Sequence, residues 1–249
     1  MKYLMSLFLI FTFFISNAHA IDKVIKIGYF ESYPYVFKNK DGKADGLIVN
    51  SILKKINDNG NYNLEFIYFP LARGFHELHN GKIDILSITT DNLFLEIPVL
   101  HHSIPICQIP EYIFVTKNSN IKDYKNSHLF KNKVIGIRTG VTLPKYFEQK
   151  KNNITLSETS GEAPINKLLQ KLINKRVDLL YLSNPKAGIL EAKKNGWLNQ
   201  LRIIKIGDFK TSIYIGFSKN LEPNVKDTIN NIIIKDQDKL KISCDIFEN

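Results

Sequence analysis

The sequence is short of several things, and each shortage narrows what it can do. It has two cysteines, Cys107 and Cys244, too few for a cysteine-built metal site. Arginine occurs only four times, at Arg73, Arg138, Arg176 and Arg202, among 34 basic residues. The lysines are scattered rather than clustered, so the net charge of +10 describes a solvated surface and not a nucleic-acid-binding face. No apolar run after residue 15 approaches the ~20 residues that a membrane-spanning helix needs. There is no G-x-S-x-G, no G-x-G-x-x-G and no Gly-Lys-Ser/Thr phosphate loop, which argues against the common hydrolase and nucleotide-binding classes. Finally, residues 83–116 contain neither Lys nor Arg, although they follow a stretch that reads as the wall of a ligand pocket.

What is present begins with an export signal. Lys2, an apolar run over residues 4–15 and Ala18-His19-Ala20 have the order of a cleaved secretory signal peptide, with maturation before Ile21. The apolar run is too short for a membrane span. An oxidising compartment permits a bond between Cys107 and Cys244. Their separation in sequence leaves both a bridge and two buried thiols open.

The mature chain alternates strand and helix patterns. Residues 24–29 (V-I-K-I-G-Y) alternate as a strand, residues 46–56 space Val49, Ile52, Leu53 and Ile56 as a helix, residues 63–69 read as a second strand and residues 71–80 as a second helix. This β-α-β-α order predicts a mainly parallel sheet covered by helices. The pattern then recurs. N-G-K-I-D at 80–84 and N-K-R-V-D at 174–178 each end an apolar helix face and open an apolar strand, and K-V-I-G-I at 133–137 repeats I-K-I-G at 25–28. Two lobes of similar logic follow. Asp84 and Asp178 read as helix-to-strand turn chemistry rather than as catalysts. Residues 111–116 and 211–217 read as two strands crossing between the lobes, and residues 225–240 as a tail helix on the first lobe. The expected division is 1–20 signal, 21–112 with 212–249 as lobe 1, and 113–211 as lobe 2. A cleft between hinged lobes is a common place for a small ligand.

These motifs, in this order, resemble the type II periplasmic solute-binding proteins of the family that serves polar amino acid uptake. The resemblance rests on I-K-I-G at 25–28, Y-P-Y-V-F at 33–37, Asp41-Gly42, Gly46-Leu47, G-K-I-D at 81–84, I-T-T at 88–90, V-I-G-I-R-T-G at 134–140 and Arg176-Val-Asp178. It covers essentially the whole mature chain. It implies an α/β fold of two parallel-rich sheets with helices, joined by a two-strand hinge, and a monomer in the periplasm. It further implies a small-molecule ligand, an ABC permease or membrane receptor as partner, and no cofactor, metal or nucleic acid. Two of the family's ligand handles are missing. Its arginine after the Ile-Thr strand end falls here on Asn92 or Glu96, and its acidic residue after the second Val-Asp falls near Ser183 and Asn184. An ordinary α-amino acid is therefore not the expected ligand.

Arg73, in P-x-x-R, either meets an anionic group or forms an i,i+4 pair with Glu77. Arg138, Thr139 and Thr142 lie where a strand opens toward a helix, suited to an anion. Tyr33 and Tyr35 supply an aromatic wall, with Phe37 assigned to the core. Ser87, Thr89 and Thr90 offer hydroxyls at a strand's C-terminal end, and Asn92, Ser183 and Asn184 complete the set. His76, His79, His101 and His102 lack metal-site spacing. The leading function is capture of a small polar solute, amino-acid-like or a small organic ion, for an ABC transporter. The alternatives are a sensory binding protein that presents its closed form to a receptor, and a dehydratase-like enzyme using Glu31 or Glu96.

Overall fold

The structure is a computed structural model, and it describes residues 23–59, 62–90, 101–125, 130–144, 147 and 153–244. The expected signal segment, Asn92 and Glu96 lie outside the described residues. In chain order the strands are β1 (Lys23–Tyr29), β2 (Phe37–Lys38), β3 (Ala44–Asp45), β4 (Tyr62–Tyr68), β5 (Ile85–Thr90), β6 (His101–His102), β7 (Cys107–Thr116), β8 (Val134–Arg138), β9 (Thr155–Thr159), β10 (Leu179–Tyr181) and β11 (Leu201–Phe217). The helices are α1 (Leu47–Ser51), α2 (Leu71–His79), α3 (Pro164–Ile173), α4 (Pro185–Lys194), α5 (Pro223–Lys235) and α6 (Gln237–Cys244).

The repeat in the sequence becomes a repeat in the sheet. Strand β1 lies between β4 and β5 and is parallel to both. Strand β8 lies between β9 and β10 and is likewise parallel to both. The two repeated aspartates do the same job in each half. Asp84 Oδ2 accepts from Lys26 N at 2.9 Å while Asp84 N donates to Lys26 O at 2.9 Å. Asp178 Oδ2 accepts from Val134 N at 2.8 Å while Asp178 N donates to Val134 O at 2.9 Å. Each carboxylate thus extends the ladder past the strand's start, the turn role expected of it. Just before each Asp the chain turns at a positive φ, with Gly81 at 68° and Lys175 at 54°.

Between the halves run the antiparallel strands β7 and β11. The upper part of β11 pairs with β5, and β7 pairs with β10, so hydrogen bonding is continuous in the order β4-β1-β5-β11-β7-β10-β8-β9. The β7–β11 register shifts between Lys205 and Lys210, where Gly207 has φ 53°. At this crossing Thr211 Oγ1 donates to the buried Glu111 Oε1 at 2.7 Å. A buried acid needs such a donor.

Two expected helices are broken. The helix expected over residues 46–56 stops at Ser51, and Leu53–Asn59 continues as a 3-10 helix. The tail divides at Asp236, whose carboxylate accepts from Lys55 Nζ at 2.5 Å. Cys107 and Cys244 are bonded, with Cα atoms 6.5 Å apart. The bond ties the end of α6 to the start of β7, a pairing that their spacing left open.

Candidate functional site

The site lies in the cleft, at the C-terminal ends of β1, β4, β5 and β8, where open parallel sheets bind ligands. A cavity of about 950 Å³ occupies it, at the upper end of the ~300–1,000 Å³ usual for small-molecule pockets.

Its aromatic wall is built by the loop after β1. Ser32 and Val36 form an isolated antiparallel bridge, and the Tyr33–Pro34 peptide is cis. Helix α1 then receives this loop. Leu47 N donates to Pro34 O at 3.1 Å and Ile48 N to Tyr35 O at 2.9 Å, so the first N–H groups of the helix find acceptors. Gly46 makes this approach feasible. Its φ is 116°, and a Cβ there would lie 2.7 Å from Tyr35 O, so only glycine fits. Tyr35 is consequently buried at 1% exposure, with its hydroxyl donating to Cys244 O at 3.4 Å. Tyr33 is exposed and tilts against Phe37 at 4.9 Å. Phe37 lines the cavity, which corrects its expected place in the core: the two-residue strand β2 holds it at the mouth.

Two side chains from the second half cross to this loop. Arg138 Nη1 donates to Glu31 O at 2.7 Å, and its guanidinium lies 5.3 Å from the centroid of the Phe30 ring. Burial lowers the Arg138 pKa from its ordinary value, while Tyr68 and Glu31 oppose the shift; the group stays charged. Asn184 Nδ2 donates to Tyr33 O at 2.9 Å and to Ser32 Oγ at 3.1 Å. Its Oδ1 meanwhile accepts from Ala187 N at 3.1 Å and caps α4, a usual role for Asn. One amide therefore starts a helix and bridges the cleft.

Of the residues singled out from sequence, Tyr33, Tyr35, Thr90, Arg138, Ser183 and Asn184 line the cavity. Ser87 and Thr89 do not. Side chains of a strand alternate between faces: Ile88 and Thr90 face the cleft, while Thr89 lies on the other face beside Gly216. Thr139 and Thr142 also fall outside the lining, for Arg138 and Val141 present themselves there instead. The Thr139 backbone is used in the sheet, its N–H donating to Thr159 O at 3.0 Å. Arg73 is exposed and does not line the cavity. Its Nε is 2.5 Å from Glu77 Oε1, which is the i,i+4 pair. Asn92 lies outside the described residues.

Sequence reasoning missed Tyr68, Glu162, Asn166, Tyr181 and Glu191, all in the lining. Tyr68 had a signal, since it ends β4 just before Pro70, beside the site. The Tyr68 pKa is raised, first by burial and then by Glu31 and Glu162, with Arg138 opposing. Asn166 on α3 donates to Glu191 Oε1 on α4 at 2.8 Å, a contact between helices that no local pattern announces. Among the described residues no group of three or more His, Cys, Asp and Glu could hold a metal ion, and no helix is long and apolar enough to cross a membrane.

No protein-family profile matches the chain, and no curated protein matches it in sequence. Solved structures do match it. The substrate-binding protein of an amino acid ABC transporter is 20% identical, with a TM-score of 0.67 over 87% of this chain and 96% of that one. An ancestral arginine-binding protein bound to arginine is 18% identical, with a TM-score of 0.70 over 88% and 97%. An ancestral amino acid-binding protein, a precursor of cyclohexadienyl dehydratase, is 17% identical, with a TM-score of 0.68 over 87% and 92%. The chain has the two-lobed type II fold of periplasmic solute-binding proteins.

Proposed function

We propose that the protein is an exported solute-binding protein. It captures a small polar solute, amino-acid-like or a small organic ion, between two lobes and delivers it to an ABC transporter. Residues 1–20 are its signal peptide, removed on export to the periplasm. Residues 21–112 with 212–249 form lobe 1, and residues 113–211 form lobe 2. The protein acts as a monomer and catalyses no reaction, so prephenate and arogenate are expected to pass it unchanged. Tyr33, Tyr35, Thr90, Arg138, Ser183 and Asn184 contact the solute.

The observation that carries this reading is the cavity itself, flanked by both halves of the sheet and bridged by Arg138 and Asn184 to the Glu31, Ser32 and Tyr33 loop. A solute seated there touches both halves at once, so it binds the closed form better than the open one. That difference is what drives closure. The test is a thermal-shift screen on protein refolded to strip carried-over solute, against amino acids, polyamines, small carboxylates, phosphorylated metabolites and short peptides. A solute at 100 times its Kd adds about 2.7 kcal/mol, several degrees at this chain length. Turnover of prephenate, or silence across the panel, refutes the reading.

A further inference from the structure

The charges that line the cavity are not equivalent. Its acids are engaged or exposed. Glu191 Oε1 accepts from Asn166 and from Asn195 at 2.8 and 2.9 Å. Glu31 Oε1 accepts from Lys38 N at 3.0 Å, and Glu162 is exposed. Two of its three bases, Lys38 and Lys194, are also exposed. Arg138 differs from all of these. It is half-buried, and it belongs to none of the ion pairs among the described residues. One nitrogen, Nη1, donates to Glu31 O. Nε and Nη2 have no hydrogen-bond partner among the described residues, which leaves most of a rigid five-donor fork unused on a side chain that lines the cavity. Thr90 adds a second unfilled group. It is 6% exposed, it lines the same cavity, and its Oγ1 has no hydrogen-bond partner among the described residues.

We propose that the solute carries an anionic group, and that Arg138, reaching in from the second half of the molecule, anchors it with the Thr90 hydroxyl as a further donor. The proposal rests on the solute-binding reading and fixes the charge of the solute at one end. A guanidinium fork holds a planar or tetrahedral anion through two parallel N–H···O bonds, which a lysine ammonium does not. Phe30 beneath the guanidinium and Glu31 O beside it hold it in place. Carboxylate, sulfonate and phosphate share this chemistry.

The test uses ligand pairs that differ in the anionic group. Amino acids and dipeptides are compared with their C-terminal amides, benzoate with benzamide, and taurine and phosphoethanolamine with ethanolamine. Affinities are read by calorimetry on refolded wild type, Arg138→Met, Arg138→Lys and Thr90→Val. The expected result is an anionic member binding about 100-fold more tightly than its neutral or cationic partner, the scale of a lost buried charge contact. In Arg138→Met that ratio falls to within threefold of unity. Arg138→Lys keeps about a tenth of the preference, and it carries the test should the methionine variant not fold. Thr90→Val weakens the anionic member alone. A merely structural role for Arg138 lowers both members of a pair equally and leaves their ratio intact, which overturns the proposal. Neutral or cationic partners that bind as well as the anions overturn it too, while the solute-binding reading survives. Silence from every pair removes that reading and the anchor together.

Discussion

Replacing Cys107 and Cys244 together by serine breaks the one covalent tie between the tail and the hinge, and its cost can be worked from the fold. The bond closes a loop across 137 residues of sequence separation. Chain entropy lost from the unfolded state then corresponds to about 5 kcal/mol, with ~2–5 kcal/mol usual when a native disulfide is removed. Both cysteines are buried, at 5% and 2% exposure, so serine hydroxyls there add to the cost rather than reduce it. At ~2–4 °C per kcal/mol for a chain of this size, the melting temperature is expected to fall by about 10–20 °C. The assay compares thermal and urea unfolding of the oxidised wild type, the wild type with reductant, and the double serine variant. Thiol titration under denaturing conditions first shows that the wild type has no free cysteine. Tyr35 gives a second readout, because its hydroxyl bonds the Cys244 carbonyl; loosening α6 is expected to weaken ligand binding modestly. A loss under about 1 kcal/mol would refute the loop-entropy reasoning, for it would mean that the unfolded chain is already constrained without the bond.

Other perturbations follow from single contacts. Asn184→Asp keeps the oxygen that caps α4 but deletes both donors across the cleft. Stability is expected to hold within about 1 kcal/mol while the closed-to-open ratio falls roughly 30-fold, as for two net hydrogen bonds of about 1 kcal/mol each, and X-ray scattering of the liganded protein reads the difference. Asn184→Ala loses the cap as well, and it should unfold about 1 kcal/mol more readily than the Asp variant. Arg73→Ala is expected to leave ligand affinity within threefold and stability within ~0.5 kcal/mol, because Lys82 still faces Glu77 at 3.6 Å; a large loss of affinity by calorimetry would return Arg73 to the site. The Asp45 carboxyl is held below its ordinary 3.8, first by Asn50 and then by the Gly46 N–H. A carboxyl lowered on folding contributes stability above that ordinary value, and the contribution disappears as pH falls through the lower folded value. Asp45→Asn is therefore expected to flatten the acid limb of the stability profile below about pH 4, and an unchanged slope in acid titration would count against the contact.

How far the sequence disclosed this molecule depended on the range of the interaction. The Asn-x-x-β-branched-Asp steps were readable because the chemistry is local: a helix ends, the chain turns, and an aspartate bonds the backbone of the neighbouring strand, once in each half. Arg138 and Asn184 reach the cavity lining from a strand end and a helix start that the pattern locates, and Tyr33 and Tyr35 from the loop that follows β1. Ser87 and Thr89 fall outside the lining because side chains of β5 alternate between faces, so they share the face opposite Ile88 and Thr90. Thr139 and Thr142 fall outside the lining by register, with Arg138 and Val141 taking the places beside the turn at Gly140. The pair of Asn166 and Glu191 had no signal at all. Those residues meet only because α3 and α4 pack together, and no single segment encodes that angle. The break at Asp236 was hidden for a similar reason, as its partner Lys55 is 181 positions away.

The empty stretch of charge from residue 83 to 116 and the placement of Arg138 belong to one arrangement. Strand β5 brings Ile88 and Thr90 to the cleft, and β11 brings Ile213, so these strands offer an uncharged floor, with Glu31 and Lys38 added by the segment after β1. The Arg138 charge comes from the opposite half, and its acceptor, Glu31 O, belongs to the first. Closing the cleft therefore strips water from Arg138 and returns one hydrogen bond, a poor exchange for a guanidinium, because the effective desolvation of a charge in a protein is several kcal/mol. An anion seated against the fork reverses the balance by supplying two charge-assisted bonds in the closed state alone. The same residue then serves as anchor and as trigger: closure is disfavoured while Arg138 lacks an anion and favoured once it has one. Arg138→Met is expected to uncouple the two, closing readily with or without solute, so that scattering profiles of the free and solute-saturated variant coincide where those of the wild type differ.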